Sequence, residues 1–399
     1  MKRIERPEYM QRLLDLMGTP DIKIITGIRR CGKSELMMSY IRKITETQPG
    51  ANIIFVDFSD LKYEELREYH ALHDHVASRY DPAKTNYVFV DEVQLCDRFE
   101  LAINSLHASR KYDLYITGSN AFLLNSDLTT LFTGRFIEIR VFPFSFEEYC
   151  RYHDGEQDTQ KLFDDYVIRG GLAGSYEYRT ERDRINYICE VCSTIINRDL
   201  VTKYRLPDPA TLEQVAEFMM DNVANLTSPN NISDTLTANT VVTNHKTVGS
   251  YVRYLCDAYV FHGVRRYDIR GRRYLKTSVK YYLSDTGIRF ARLGRRNLDH
   301  GRMYENIVCI ELLRRGYEVW VGKLYQKEVD FVALRGNEKV YIQVSDDISR
   351  PETFKREYEP LLKIRDAYPK MILASTRHRT YDYEGIRIHN LPDWLLGRE

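Results

Sequence analysis

No part of this 399-residue chain stays apolar for the roughly 18 residues that a membrane-crossing helix needs. The first ten residues, MKRIERPEYM, hold no apolar segment of the kind a secretory signal carries. Neither a membrane partner nor export is therefore expected, and the expected location is the cytoplasm. Paired cysteines are also missing. The seven cysteines, at 31, 96, 150, 189, 192, 256 and 309, are odd in number and scattered, which excludes a disulfide framework and fits a reducing compartment. Cys189 and Cys192 form the one close pair. With no second pair or histidine cluster nearby, they read as packing residues of a helix face and not as zinc or redox ligands. A strong charge of one sign is absent as well. The net charge is +1, so any nucleic-acid surface must be a local patch. What remains is 43% hydrophobic and 29% charged residues, enough for ordinary cores in two or three domains.

One stretch organises the chain, DIKIITGIRRCGKSELMMSYI at residues 21–41. It reads as a strand over 22–26, a glycine-bearing loop over 27–33 and a helix opening at Ser34. Residues 27–34, GIRRCGKS, fill the pattern G-x-x-x-x-G-K-[ST] and have the flanks it requires. In such a loop Gly27, Ile28, Arg29, Arg30, Cys31, Gly32, Lys33, Ser34 and Glu35 surround a triphosphate with backbone N–H groups, and the helix start adds partial positive charge. Lys33 is expected at the β- and γ-phosphates and Ser34 at Mg²⁺. Ahead of the loop, residues 1–20 carry an amphipathic helical pattern closed by Gly18 and Pro20.

An apolar run at 52–58 is a second strand, a helical stretch follows over 63–79, and then comes YVFVDE at 87–92. Four apolar residues ending in Asp91 and Glu92 read as a strand buried between helices. Asp91 at its carboxyl end is expected in the Mg²⁺ shell, and Glu92 is expected to orient and polarise the attacking water. The next strand is placed at 114–117. Ser119 or Asn120 after it either contacts the γ-phosphate or lytic water, or caps a helix. Arg135, before a strand at 136–142, either stabilises γ-phosphate charge in its own or a neighbouring subunit, or pairs with a surface acid. Strand–helix alternation over 20–145 implies a parallel sheet with helices on both faces and the phosphate site at the strands' carboxyl ends.

GIRRCGKS, VFVDEVQ, YITGSNAFLL and LFTGRFIEIRVFPFSFEEY resemble the bacterial and archaeal AAA-like P-loop ATPases that carry a C-terminal domain of unknown function. The resemblance implies an α/β core of the additional-strand, catalytic-glutamate type, with ATP and Mg²⁺ as ligands. It places the residues named above in the roles their chemistry suggests. It implies no cellular task.

Residues 147–205 read as mostly helical. Those at 166–172, YVIRGGL, resemble a glycine-containing lid segment of that family, and Asn197-Arg198-Asp199-Leu200 resembles a recurrent motif of it; Arg198 either contacts nucleotide or pairs with a nearby acid, the pairing being the preferred reading. Pro207 and Pro209 mark a linker. Beyond it come three helices and two strand-like runs, the order of a winged helix-turn-helix. The hairpin at 261–281 holds Arg265, Arg266, Arg270, Arg272, Arg273, Lys276 and Lys280 against the single acid Asp268. That is the footprint of phosphate-backbone contact with DNA; the alternative is a solvated hairpin, or one docked on an acidic face of the ATPase domain or of a neighbour.

From residue 300 the pattern of a helix with Glu305, then strands with Asp330 and with Gln343-Val344-Ser345, resembles a restriction-endonuclease-like core. Active members gather Mg²⁺ with acids and a lysine. Gln343 and Ser345 stand where an acid and that lysine belong, so the resemblance implies a degenerate site. Asp346 and Asp347 follow, and Lys327 is a candidate replacement for the lysine. The expected layout is therefore an ATPase core at 1–150, a helical lid at 151–206, a winged helix at 207–299 and the nuclease-like unit at 300–399. The leading expectation is a Mg²⁺-dependent ATPase coupling hydrolysis to movement of DNA-associated C-terminal domains, with a homo-oligomer if Arg135 acts across subunits. The alternatives are a nucleotide-gated protein-interaction switch in defence or signalling, and an ATP-regulated nuclease.

Overall fold

Five parallel strands carry the amino-terminal part of the protein: β1 (Ile22–Thr26), β2 (Asn52–Asp57), β3 (Asn86–Asp91), β4 (Asp113–Thr117) and β5 (Phe136–Arg140). Their order is β2-β3-β4-β1-β5. The structure, a computed structural model, describes residues 2–118, 132, 134–239, 241, 243–271, 273–295, 299–376 and 378–398, and not the side chains of 274, 276 and 277. The three inner strands are buried along their whole lengths and the two edge strands only in part. That is why IKIIT and NYVFVD read as continuous apolar runs. Alternate residues serve opposite faces. Ile22, Ile24, Val88 and Val90 pack on the helices Tyr69–Ala77 and Phe99–Ala108. Ile25, Phe89 and Tyr115 pack on the helices Lys33–Thr47 and Pro7–Asp15. β4 lies between β1 and β3, so the loop strand and the Asp91 strand are separated by an additional strand.

The single helix expected over 63–79 is two elements, a 3₁₀ segment Leu61–Leu66 and the helix Tyr69–Ala77. Glu68 starts the second by accepting from the N–H groups of His70 and Ala71, a cap that interrupts the pattern.

Helices Phe146–Tyr152, Thr159–Arg169 and Glu181–Ser193 follow, then a π-helical turn Thr194–Leu200. Next come helix Pro209–Asp221, β6 (Leu226–Thr227), helices Pro229–Ala238 and His245–Asp257, and a hairpin of β7 (Phe261–Asp268) and β8 (Arg273–Leu283). Helices Thr286–Leu293 and His300–Arg314 lead to β9 (Glu318–Leu324), β10 (Lys327–Arg335) and β11 (Glu338–Ser345). Helix Pro351–Leu362, β12 (Lys370–Ala374), β13 (Tyr381–Tyr383) and β14 (Ile386–Asn390) complete the fold. The hairpin is not a free projection. β7 pairs parallel with β9, in register from Arg266↔Val321 to Asp268↔Lys323, within one sheet of order β13-β14-β12-β11-β10-β9-β7-β8-β6. The boundary expected at 299/300 is thus crossed by a continuous sheet. One apolar cluster also runs from Leu13 and Tyr40 through the lid to Ile310 and Trp394.

The lid glycines mark a close approach. Gly170 has φ +68, and a Cβ there would lie 1.9 Å from Oδ1 of Asp285; one on Gly171 would lie 2.2 Å from the carbonyl oxygen of Phe144. Asp285 accepts from the N–H groups of Gly171 at 2.5 Å and Gly287 at 2.8 Å, tying the lid to helix Thr286–Leu293. Burial pushes this carboxyl up to about 6, against the downward pull of backbone N–H donors from Gly171, Gly287, Leu172 and Ile288. Between the free Asp value and 6 the folded state holds a proton that the unfolded chain has released, so this group's contribution to stability falls as pH rises through that window. Denaturant unfolding from pH 4 to pH 7 should show a loss about 2 kcal/mol larger in the wild type than in Asp285→Asn. An equal pH slope in both proteins rules out the raised carboxyl.

Candidate nucleotide site

The residues between β1 and helix Lys33–Thr47 follow a path that side chains would block. Gly27 has φ +139, and a Cβ there would lie 2.0 Å from the carbonyl oxygen of Val141 on the chain leaving β5. Gly32 caps the helix in the left-handed region at φ +100, and Arg30 is left-handed at φ +66. Ile28 and Cys31 send their side chains into the core, 1% and 3% exposed, so they face the outside with backbone alone. The Lys33 ammonium is buried and donates to the carbonyls of Gly27 at 3.1 Å and Ile28 at 3.3 Å. Glu35 lies at the rim, ion-paired with Arg42 at 3.1 Å and Arg3 at 3.4 Å.

β3 and β4 bring the acids to this loop. Asp91 ends β3 and is 5% exposed. Its carboxylate accepts from the Thr117 hydroxyl at the end of β4 and hydrogen-bonds Ser34. Burial raises its pKa; Thr117 and Ser34 oppose that rise, and Glu92 and Asp57 add to it. Glu92 follows in the left-handed region at φ +52, a conformation costing about 1–3 kcal/mol for a side chain of this size. Its N–H donates to Asp91 Oδ1 and Thr117 Oγ1, each at 3.2 Å, and its carboxylate accepts from Gln94. The strain ends the strand and turns Glu92 into a cleft of about 1500 Å³, shared with Lys33, Ser34, Asp91, Arg29 and Asp199.

Two further expectations remain to be placed. Ser119 and Asn120 lie outside the described residues. Arg135 is exposed, and its carbonyl accepts from the N–H of Ile22 at the start of β1. The loop leaves the other end of that five-residue strand, about 16 Å away at the usual rise per residue. Arg135 therefore cannot serve the loop of its own subunit, which corrects that half of the expectation.

Several residues around the cleft have no role assigned by the sequence reading. A lone hydroxyl closing an apolar strand is the signal that marks Thr117. Arg6 had no local signal. It is 8% exposed and forks onto Glu148, Nε to Oε1 at 2.7 Å and a terminal nitrogen to Oε2 at 2.9 Å. It also donates to the loop carbonyl of Cys31 at 3.2 Å and to Phe142 O at 2.9 Å. Burial pushes the Glu148 carboxyl up, but Arg6 and Arg314 pull it lower still, below its ordinary value. Arg314, from helix His300–Arg314, donates to Pro143 O at 2.9 Å. Asp199, on the π-helical turn, meets Arg29 of the loop at 3.3 Å.

The C-terminal residues converge on a second, closed centre. Glu305 and Asp330 are each 8% exposed, and Asp330 accepts from the N–H of Val344 at 2.8 Å while its own N–H donates to Gln343 Oε1 at 3.3 Å. Between the acids lies the ammonium of Lys280, 2.9 Å from Glu305 and 2.6 Å from Glu328. Tyr282 donates to Glu305 at 2.6 Å. Burial raises the pKa of both Glu305 and Asp330, the latter well above its ordinary value; Lys280 pulls each of them back. Ser345 is turned to Asp347 O at 3.1 Å, and Lys327 pairs with Glu359 at 2.6 Å, so neither supplies a lysine to the acids. Among the described residues no group of acids, histidines and cysteines is arranged to hold a metal ion.

The basic hairpin is correspondingly reduced. Lys280 is 4% exposed and is removed from the surface set. Arg273 is exposed and reaches Asp268 at 3.6 Å; Arg270 is exposed, its guanidinium 5.0 Å from the ring centre of Tyr325. Arg265 is exposed and Arg266 half-buried. Arg272 and the Lys276 side chain lie outside the description.

An AAA domain family matches residues 19–150, and a domain of unknown function (DUF8612) matches residues 160–299. An uncharacterized protein of Haemophilus influenzae is 35% identical, with 98% of each chain covered. An uncharacterized protein of Methanocaldococcus jannaschii is 23% identical over 90% of this chain and 83% of its own. The Walker-type ATPase of Pyrococcus abyssi is similar in structure at TM-score 0.48 and 14% identity, covering 72% of this chain and 95% of its own.

Lys280→Met should lower the unfolding free energy by about 3–5 kcal/mol, because it leaves buried carboxylates without their cation. Adding Glu305→Gln should restore part of that loss. An unchanged denaturation midpoint in Lys280→Met excludes the closed centre.

Proposed function

The chain belongs to the family of the Haemophilus influenzae relative, which it matches over 98% of each chain, and we propose that it binds ATP with Mg²⁺ at residues 27–34 and hydrolyses it. The observation that carries this reading is the pair of hydrogen bonds that Ser34 and Thr117 make to Asp91, with Glu92 turned into the same cleft. A hydroxyl and a carboxylate oxygen are hard donors of the kind Mg²⁺ takes, so Ser34 and Asp91 are the residues that fit it. Bound there, Mg²⁺ would neutralise charge on the β- and γ-phosphates. Lys33 exchanges the carbonyls of Gly27 and Ile28 for phosphate oxygens. Glu92 holds the lytic water and takes up its proton. Thr117 orients the Asp91 carboxylate. Arg135, at the far end of the sheet, acts at the site of a second copy.

The C-terminal half is read as a winged helix-turn-helix followed by a degenerate nuclease-like module. The order helix, β6, helix, helix, β7, β8 supports the first part, and the convergence of Glu305, Asp330 and Gln343 supports the second. Movement of this half is what hydrolysis drives. DNA is its proposed target through the exposed Arg265, Arg270 and Arg273. A second reading, a nucleotide-gated switch that contacts protein, is favoured by the pairing of β7 with β9 and the burial of Lys280.

Glu92→Gln should reduce steady-state ATP turnover by about 100-fold or more while nucleotide binding is retained; turnover within a few-fold of wild type defeats the assignment. For DNA, duplex affinity measured against salt concentration should lose about three units of log–log slope when Arg265, Arg270 and Arg273 are all replaced by Ala. An unaltered slope, with no stimulation of ATPase rate by single-stranded, duplex or branched DNA, moves the target to protein.

A further inference from the structure

The ion pair between Arg29 and Asp199 joins the phosphate loop to the lid, and its geometry is unusual. One guanidinium nitrogen lies 3.4 Å and 3.3 Å from the two carboxylate oxygens, long for a charge-assisted bond, which prefers about 2.7–2.9 Å. Asp199 is 6% exposed. Burial raises its pKa, Arg29 and Arg198 draw it down, and Glu92 pushes it up. A buried carboxylate with a stretched partner is costly to keep and costlier to strip of that partner. It also sits on the π-helical turn Thr194–Leu200, between helices Glu181–Ser193 and Val201–Tyr204. Such wide turns are uncommon and recur at functional sites.

Arg29, Asp199 and Glu92 line the same cleft. Glu92, at the end of β3, is the group read above as holding the lytic water, so the pair shares that cleft with the place proposed for the terminal phosphate. From the turn, Asn197 reaches Glu213 at 3.5 Å, on helix Pro209–Asp221. A short path therefore runs from loop to lid to the first C-terminal helix. Resting on the nucleotide reading above, we propose that Arg29 and Asp199 form a latch sensitive to the γ-phosphate: a triphosphate competes with Asp199 for Arg29, and a diphosphate does not. Once Arg29 turns to phosphate, Asp199 loses its partner on the loop and the π-helical turn is released, carrying Asn197 and the helices beyond it. Arg29 is then the group that distinguishes ATP from ADP, and Asp199 sets how strongly it does so.

The test uses the full chain with Mg²⁺ and measures affinity for ADP and for a non-hydrolysable ATP analogue. Asp199→Asn, nearly isosteric and uncharged, should tighten the analogue by about tenfold and leave ADP within about twofold. Arg29→Gln should weaken the analogue by a similar factor, again sparing ADP. In the double variant the Asp199 effect should vanish, because its competitor is gone. Amide exchange over 194–200 should quicken in wild type with the analogue and not with ADP. Equal shifts for both nucleotides, or an Asp199 effect that persists without Arg29, overturn the latch. Failure of the wild type to bind either nucleotide overturns instead the nucleotide reading beneath it.

Discussion

The buried fork of Arg6 on Glu148 is the constraint on which the arrangement depends. Its members come from four places in the chain: the amino-terminal segment that carries Arg6, the phosphate loop through Cys31 O, the stretch after β5 through Phe142 O and Glu148 itself, and Arg314 of the C-terminal module. Burying a guanidinium and a carboxylate is unfavourable unless nearly every polar atom finds a partner. Here the requirement is met only when all four pieces are assembled. The network therefore rewards a single arrangement of core, tail and C-terminal half, and it places one of its hydrogen bonds on the loop that is read as binding nucleotide.

A second property follows from the shared core. The apolar cluster that begins at Leu13 and Tyr40 continues to Ile310 and Trp394, and the sheet continues from β8 into β9 through β7. Modules packed this way do not move as beads on a string. Within this shared packing there are places that hold charge or strain. The described structure has several: the left-handed Glu92, the Asp285 contact with the lid glycines, and the stretched Arg29–Asp199 pair. They lie on a route from the loop outward, and each couples a polar group to a backbone that has little freedom to adapt.

The loop, the acids and the parallel sheet were legible in the sequence because each depends on local pattern. A strand buried on both faces must be apolar, a phosphate loop must have glycine where the backbone turns left-handed or meets another strand, and Asp91 and Glu92 must end their strand. Gly27 against Val141 O shows the glycine constraint in space. The basic hairpin was legible as charge and misleading as surface. Counting Lys280 among exposed residues failed because its neighbours Glu305 and Glu328 are 25 and 48 positions away in sequence.

The sequence by itself determined the chemistry available at the loop and the class of the sheet, since both follow from residue type at short spacing. Only the tertiary structure decided which charges meet. It set Arg135 at the end of the sheet away from its own loop, Thr117 against Asp91, Lys280 among buried acids, and Asp199 against Arg29. The reason is physical: a side chain's charge is written in one position, but the partner that settles its energy is chosen by the way distant segments pack.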